Sequence, residues 1–151
     1  MSAERSKKEL TGWRAVYLAW IVSLCSILGS LFFSEVMGLP PCALCWYQRI
    51  ALYPLGLILA IGILHRDRRI TRYSSPFVAI GCVAAIYHNL LYYRVISESL
   101  SPCTQGVSCT TPQIEWLGFI TIPLLSLGAF LIIGSCLCIA RSNFGDEDEK
   151  R

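Results

Sequence analysis

The chain carries eight cysteines among its 151 residues, and four of them fall into two closely spaced pairs. Cys42-Ala43-Leu44-Cys45 is a C-x-x-C. Cys103 and Cys109 form a C-x5-C around Thr104-Gln105-Gly106-Val107-Ser108. Pairs at such spacing can exchange disulfides, each step being attack of a thiolate on a disulfide sulfur. Pro40-Pro41 cannot prolong a preceding helix, and proline suits a helix's first turn. A helix is therefore expected to open here, with Cys42 in its first turn. Free N–H groups and the positive end of the helix dipole stabilise a thiolate at that place. The cysteine then becomes more reactive and a better leaving group. Cys45 lies one turn deeper and Arg49 four residues further, so the three form one stripe at i, i+3 and i+7. Arg49 is expected to bring positive charge and hydrogen-bond donors to Cys45, or to a reduced, anionic electron acceptor. Gln48 is a second candidate donor. The plainer readings are snorkelling for Arg49 and an ordinary polar neighbour for Gln48.

The elements that must position these residues are four long apolar stretches. The chain is 54% hydrophobic and 15% charged, where a soluble domain would carry about 25% charged residues. Its mean hydropathy is +0.54. These values exclude an ordinary soluble globule and a disordered tail. The stretches run over 15–37, 42–64, 76–97 and 116–140. Each is roughly 20 residues or longer, enough as helix to cross a ~30 Å hydrocarbon core. Lipid offers a bare backbone no hydrogen bonds, so helices are expected. The expected fold is an all-α membrane protein: one domain over 1–151, a four-transmembrane-helix bundle. Pro54 and Pro123 should kink their spans or lie near an end.

Eleven of the 13 Lys and Arg residues lie before span one, between spans two and three, or after span four. Arg49 and Arg94 are the other two. The links 38–41 and 98–115 contain none. The positive-inside rule then makes both termini and the middle link cytoplasmic, and the two basic-free links external. Both cysteine pairs thus fall on one outer face, where disulfides are permitted. The net charge of +3 is not gathered on one surface, so lipid rather than nucleic acid is the expected surrounding. Span one has a basic flank but is too long for a signal peptide's apolar region, and a retained helix is expected.

Cys25, Cys82, Cys136 and Cys138 lie inside spans and read as packing residues. His88, in span three near Tyr87, Tyr92 and Tyr93, reads as a satisfied bundle histidine. Its sharper alternative is a proton donor to a reduced quinone. Pro102, Gly106 and Pro112 punctuate the second outer link, which reads as an exposed, nonhelical loop. A disulfide there is within reach of a partner's thiolate. Two other uses of the outer cysteines stay open: two structural disulfides in a non-enzymatic tetraspan scaffold, or a metal site. The metal reading is disfavoured because free thiols outside a cell are usually oxidised.

The string Pro41-Cys42-Ala43-Leu44-Cys45-Trp46-Tyr47-Gln48-Arg49-Ile50 resembles the signature of the DsbB/BdbC disulfide-bond formation family. Gly29 to Glu35, Tyr53-Pro54-Leu55, Pro102-Cys103 to Cys109 and Trp116 to Pro123 resemble its shorter BdbC branch. The similarity runs over about Trp13 to Ala140. It implies a four-helix protein of a bacterial plasma (inner) membrane, expected as a monomer. It further implies reoxidation of an extracytoplasmic thioredoxin-fold oxidase (DsbA/BdbD-like) and transfer of electrons to a quinone, menaquinone or ubiquinone. By position, Cys103 resembles the loop cysteine that takes the mixed disulfide, with Cys109 as its resolving mate. Cys42 would exchange with that pair, Cys45 would meet the quinone, and Arg49 would lie beside the quinone ring. His88 matches a third-span histidine only loosely. The loop between Cys103 and Cys109 is shorter than in the longer DsbB branch. An oxidoreductase of the vitamin K epoxide reductase type also joins spans with such cysteines, but its C-x-x-C lies later in the bundle.

Overall fold

The computed structural model describes residues 2–96, 115–116 and 120–148, with side chains described over 4–96 and 121–144. Four helices dominate it: α1 (Ser2–Leu31), α2 (Ala43–Leu64), α3 (Ile70–Tyr92) and α4 (Ile122–Asp148). Each contains a stretch long and apolar enough to cross a membrane. α1 packs on α2 and α4, and α3 packs on the same two, so the helices close a four-membered ring. The chain is a multi-pass membrane bundle.

The core of the ring is built from Val16, Ala19, Leu55, Leu59, Ala85, Phe130, Ile133 and Ala140, all buried. Lipid is as apolar as leucine, so close packing of small residues holds such helices together. Gly81 illustrates this: a β-carbon there would overlap the Phe130 ring across the α3–α4 contact. The outward faces carry Leu18, Leu28, Leu57, Ile61, Ile80, Val83 and Leu131, all exposed, as expected of surfaces solvated by acyl chains.

The helix ends depart from the apolar stretches for local reasons. α1 continues through its basic flank, then widens into a π-helical turn over Phe32–Val36. The link to α2 turns at Gly38, whose φ of 65° suits a residue without a β-carbon. The third span begins at Ile70 rather than 76, so Pro76 lies inside α3 rather than at its start. It ends at Tyr92, and Arg94, at φ 56°, turns the chain away. The fourth span begins at Ile122 rather than 116. Pro123 is tolerated in that first turn, whose N–H groups have no helical partner anyway. Upstream of it, Glu115–Trp116 (β1) pairs antiparallel with Ile120–Thr121 (β2), a two-residue ladder that the all-helical expectation did not contain. Pro54 lies in the interior of α2.

The end of the bundle carrying the α2–α3 link is tied by side chains. Arg68 pairs with Glu9 at 2.9 Å. The Arg66 guanidinium lies 5.4 Å from the Trp13 ring, which packs on Phe144 at 5.3 Å. The opposite end holds the candidate site.

Candidate active site

Pro40-Pro41 ends the link, and Cys42 is the N-cap of α2 rather than a member of its first turn. Its backbone is extended (φ −73°, ψ 169°), and its Sγ accepts the Cys45 N–H at 3.4 Å. The sulfur thus takes the part that a serine or aspartate oxygen usually plays at this position. The two free thiols lie 3.0 Å apart, with Cys42 only 5% exposed. The hydrogen bond from the Cys45 thiol holds the pKa of Cys42 below the usual thiol range; burial opposes this, and His88 and the Cys45 N–H assist. A capping thiolate is what the helix N-terminus favours.

His88 packs directly on this cap, its Nε2 3.7 Å from Cys42 Sγ. A chain of side chains from three helices sets its orientation. Ser126 of α4 donates its hydroxyl hydrogen to Gln48 Oε1, which turns the Gln48 amide nitrogen toward His88 Nδ1 at 3.1 Å. An amide nitrogen only donates, so Nδ1 accepts, and the ring proton sits on Nε2, facing the sulfur. Gln48 and His88 are buried, and each side chain finds partners, as polar groups out of water must.

Arg49 makes its hydrogen bonds to α1 rather than to Cys45. Its Nε donates to Ser30 Oγ and its Nη2 to the Ser30 carbonyl, both at 2.8 Å. Its guanidinium lies 5.5 Å from the Trp46 ring centroid. No hydrogen bond joins it to Cys45 among the described residues. Arg49 and Cys45 instead meet at one cavity of about 410 Å³ between α1, α2 and α4, lined chiefly by apolar side chains such as Val22, Phe33, Leu52, Leu125 and Phe130. Gln48 and Ser126 reach it too. An apolar cavity of several hundred Å³ with a few convergent polar groups is the usual form of a small-molecule site. Arg49, Gln48 and Cys45 are the polar groups that a molecule held there would meet first.

Cys42, Cys45, Gln48 and Arg49 are therefore assembled at one end of the bundle. Cys103 and Cys109 lie outside the described residues. Ser30 and Ser126 join the site without having been singled out for it, and His88, read first as a bundle histidine, joins it beside Cys42. No spacing in the sequence pointed to the two serines. The azimuth that turns a side chain inward is not legible when every face is apolar.

Fold and site together define a class: a multi-pass membrane thiol protein, with a dithiol capping one helix at the edge of an apolar cavity. The chain belongs to the disulfide bond formation protein DsbB family, whose model matches residues 13–140. It is 44% identical over 126 residues to disulfide bond formation protein C of Bacillus subtilis (strain 168), covering 83% of this chain and 91% of that one. It is 42% identical over 130 residues to a probable disulfide formation protein of Metapseudomonas resinovorans, covering 85% and 90%. It is also 45% identical over 118 residues to a probable disulfide formation protein C of Halalkalibacterium halodurans, covering 78% and 86%. No solved structure matches the chain significantly.

Proposed function

We propose that this protein is a thiol–disulfide oxidoreductase of the bacterial plasma membrane, which reoxidises an extracytoplasmic thioredoxin-fold oxidase and delivers the electrons to a membrane quinone. The observation that carries the reading is the placement of Cys45: 3.0 Å from the capping sulfur of Cys42 and in the lining of the apolar cavity. The relatives' names, disulfide formation proteins, support the thiol chemistry. The distribution of Lys and Arg supports an external dithiol.

The outer loop opens the sequence of exchanges. A thiolate of the reduced partner attacks Cys103, and Cys109 leaves as thiolate. The partner's second thiolate then displaces Cys103, so the partner departs oxidised and the loop pair is reduced. A loop thiolate next attacks the Cys42–Cys45 disulfide at Cys42, and Cys45 leaves. Resolution by the second loop thiol restores the loop disulfide and leaves Cys42 and Cys45 reduced. Each exchange conserves two electrons, and direction follows from the coupled potentials. His88 holds a proton at Nε2 beside Cys42, and the capping N–H stabilises negative charge on that sulfur. Arg49, anchored by Ser30, holds positive charge at the cavity. Gln48 and Ser126 keep His88 oriented. A quinone bound in the cavity supplies the sink for two electrons and two protons.

The test is steady-state loss of oxidised-quinone absorbance, with detergent-purified protein, a reduced thioredoxin-fold substrate and a soluble quinone. Turnover that requires Cys45, being abolished by Cys45→Ser, is expected. Normal turnover in that variant would overturn the reading.

A further inference from the structure

The ligand atoms of Cys42, Cys45 and His88 all lie within 4.8 Å of one another. We propose that the reduced dithiol and His88 form a Cys2His site for a thiophilic divalent cation of the zinc class. Tetrahedral zinc, with bonds of about 2.3 Å to sulfur and about 2.0–2.1 Å to nitrogen, requires separations of about 3.8 Å between sulfurs and about 3.5 Å between sulfur and nitrogen. The Cys42–His88 separation is 3.7 Å, already close to that value. The sulfurs, at 3.0 Å, must part by under about 1 Å to reach the zinc value. Rotation of the Cys42 side chain can supply this, because Cys42 caps the helix rather than lying within it.

A second observation separates this cluster from an arbitrary dithiol. A ligating histidine normally has its other ring nitrogen held by an outer hydrogen-bond partner, which fixes the ring and tautomer. Here Gln48 holds His88 Nδ1, and Ser126 holds Gln48. His88 is 3% exposed, with Nε2 facing the sulfur. Binding takes the other tautomer: the ring proton moves to Nδ1, the Gln48 amide flips so that Oε1 accepts it, and the Gln48 amide nitrogen then donates to the Ser126 hydroxyl oxygen, whose own hydrogen turns away. Three protein ligands leave a fourth position for water.

Binding moves no electrons. Two thiols lose two protons and two metal–sulfur bonds form. A Cys42–Cys45 disulfide offers neither thiolate, so the cation binds the reduced state alone. It competes with disulfide formation for the same two sulfurs. The site itself is independent of the quinone reading; only its consequence, arrest of turnover in the reduced state, rests on it.

The test uses cobalt(II) as probe on the full chain carrying Cys103→Ser and Cys109→Ser, reduced and desalted without oxygen in detergent. One cobalt per chain is expected, with a sulfur-to-cobalt charge-transfer band and the strong visible bands of a tetrahedral ion. Oxidised protein should give no such bands. Adding His88→Ala should weaken binding by about tenfold or more, and adding Cys45→Ser should abolish the bands. Absence of the bands in the reduced parent would overturn the proposal. So would unchanged affinity and spectrum with His88→Ala, or bands that survive removal of Cys42 and Cys45 together. Metal binding without quinone turnover would leave the site standing and fault the functional reading alone.

Discussion

A single residue, Cys42, caps α2 and meets both Cys45 and His88. Cys42 replaces the oxygen of an ordinary N-cap with sulfur, and the hydrogen bond from Cys45 holds it as thiolate. A lowered folded-state pKa means that the thiolate persists below the ordinary thiol range and is lost only as pH falls through the lowered value. Alkylation of Cys42 by iodoacetamide, followed by peptide mass, is therefore expected to keep its rate to lower pH than a free thiol does. A model-peptide thiol, with a pKa of about 8.5, should slow roughly tenfold per unit below that pKa. A Cys42 profile parallel to the peptide's would contradict the capped thiolate. Arg49 makes a second residue-scale argument. Its two hydrogen bonds to Ser30 fix the guanidinium at the cavity. Loss of one charged hydrogen bond in Ser30→Ala should raise the KM for quinone by roughly tenfold, with a smaller effect on kcat and rescue by Ser30→Thr. Unchanged KM would mean that Ser30 does not position Arg49.

At the scale of elements, helix contacts depend on small residues that admit large neighbours. Gly81 admits the Phe130 ring, and the same ring lines the cavity. Gly81→Val is expected to destabilise the bundle by about 1–3 kcal/mol, read as a lowered unfolding midpoint in detergent, because overpacking forces helices apart. An unchanged midpoint would show that α3 and α4 do not meet as described. The four helices were legible from hydropathy, and the dithiol's place at a helix start from Pro40-Pro41. The starts of α3 and α4 were not. Pro76 marked where apolar residues become dense, yet α3 begins at Ile70, among polar and basic residues that are themselves compatible with helix. Trp116 to Ile120 is as apolar as a span, yet residues at its two ends pair as strands before Pro123 allows a helix to start. Hydropathy reports what lipid tolerates, not which hydrogen-bond pattern the backbone adopts. The Ser126–Gln48–His88 chain escaped sequence reasoning for a related reason: it joins α4, α2 and α3, and only packing shows which faces meet.

The whole molecule separates its two ends. One is tied by Arg68–Glu9 and by Arg66, Trp13 and Phe144; the other carries the dithiol and the cavity beside it. With the basic residues gathered at the first end, Gly38→Cys in intact cells should react with a membrane-impermeant maleimide, and Asp67→Cys should not. The reverse pattern would invert the orientation and remove the outer oxidase from the account. The central claim is that Cys42 and Cys45 surrender their electrons at the cavity that Cys45 lines. A single-turnover measurement tests it most directly. Protein carrying Cys103→Ser and Cys109→Ser, reduced and desalted, is mixed anaerobically with one equivalent of quinone. Quinone absorbance is followed and the thiols are then mapped by alkylation and mass. The account predicts loss of one quinone for each Cys42–Cys45 disulfide formed, with Cys25, Cys82, Cys136 and Cys138 still thiols. Oxidised quinone remaining beside two alkylatable thiols at Cys42 and Cys45 would contradict it.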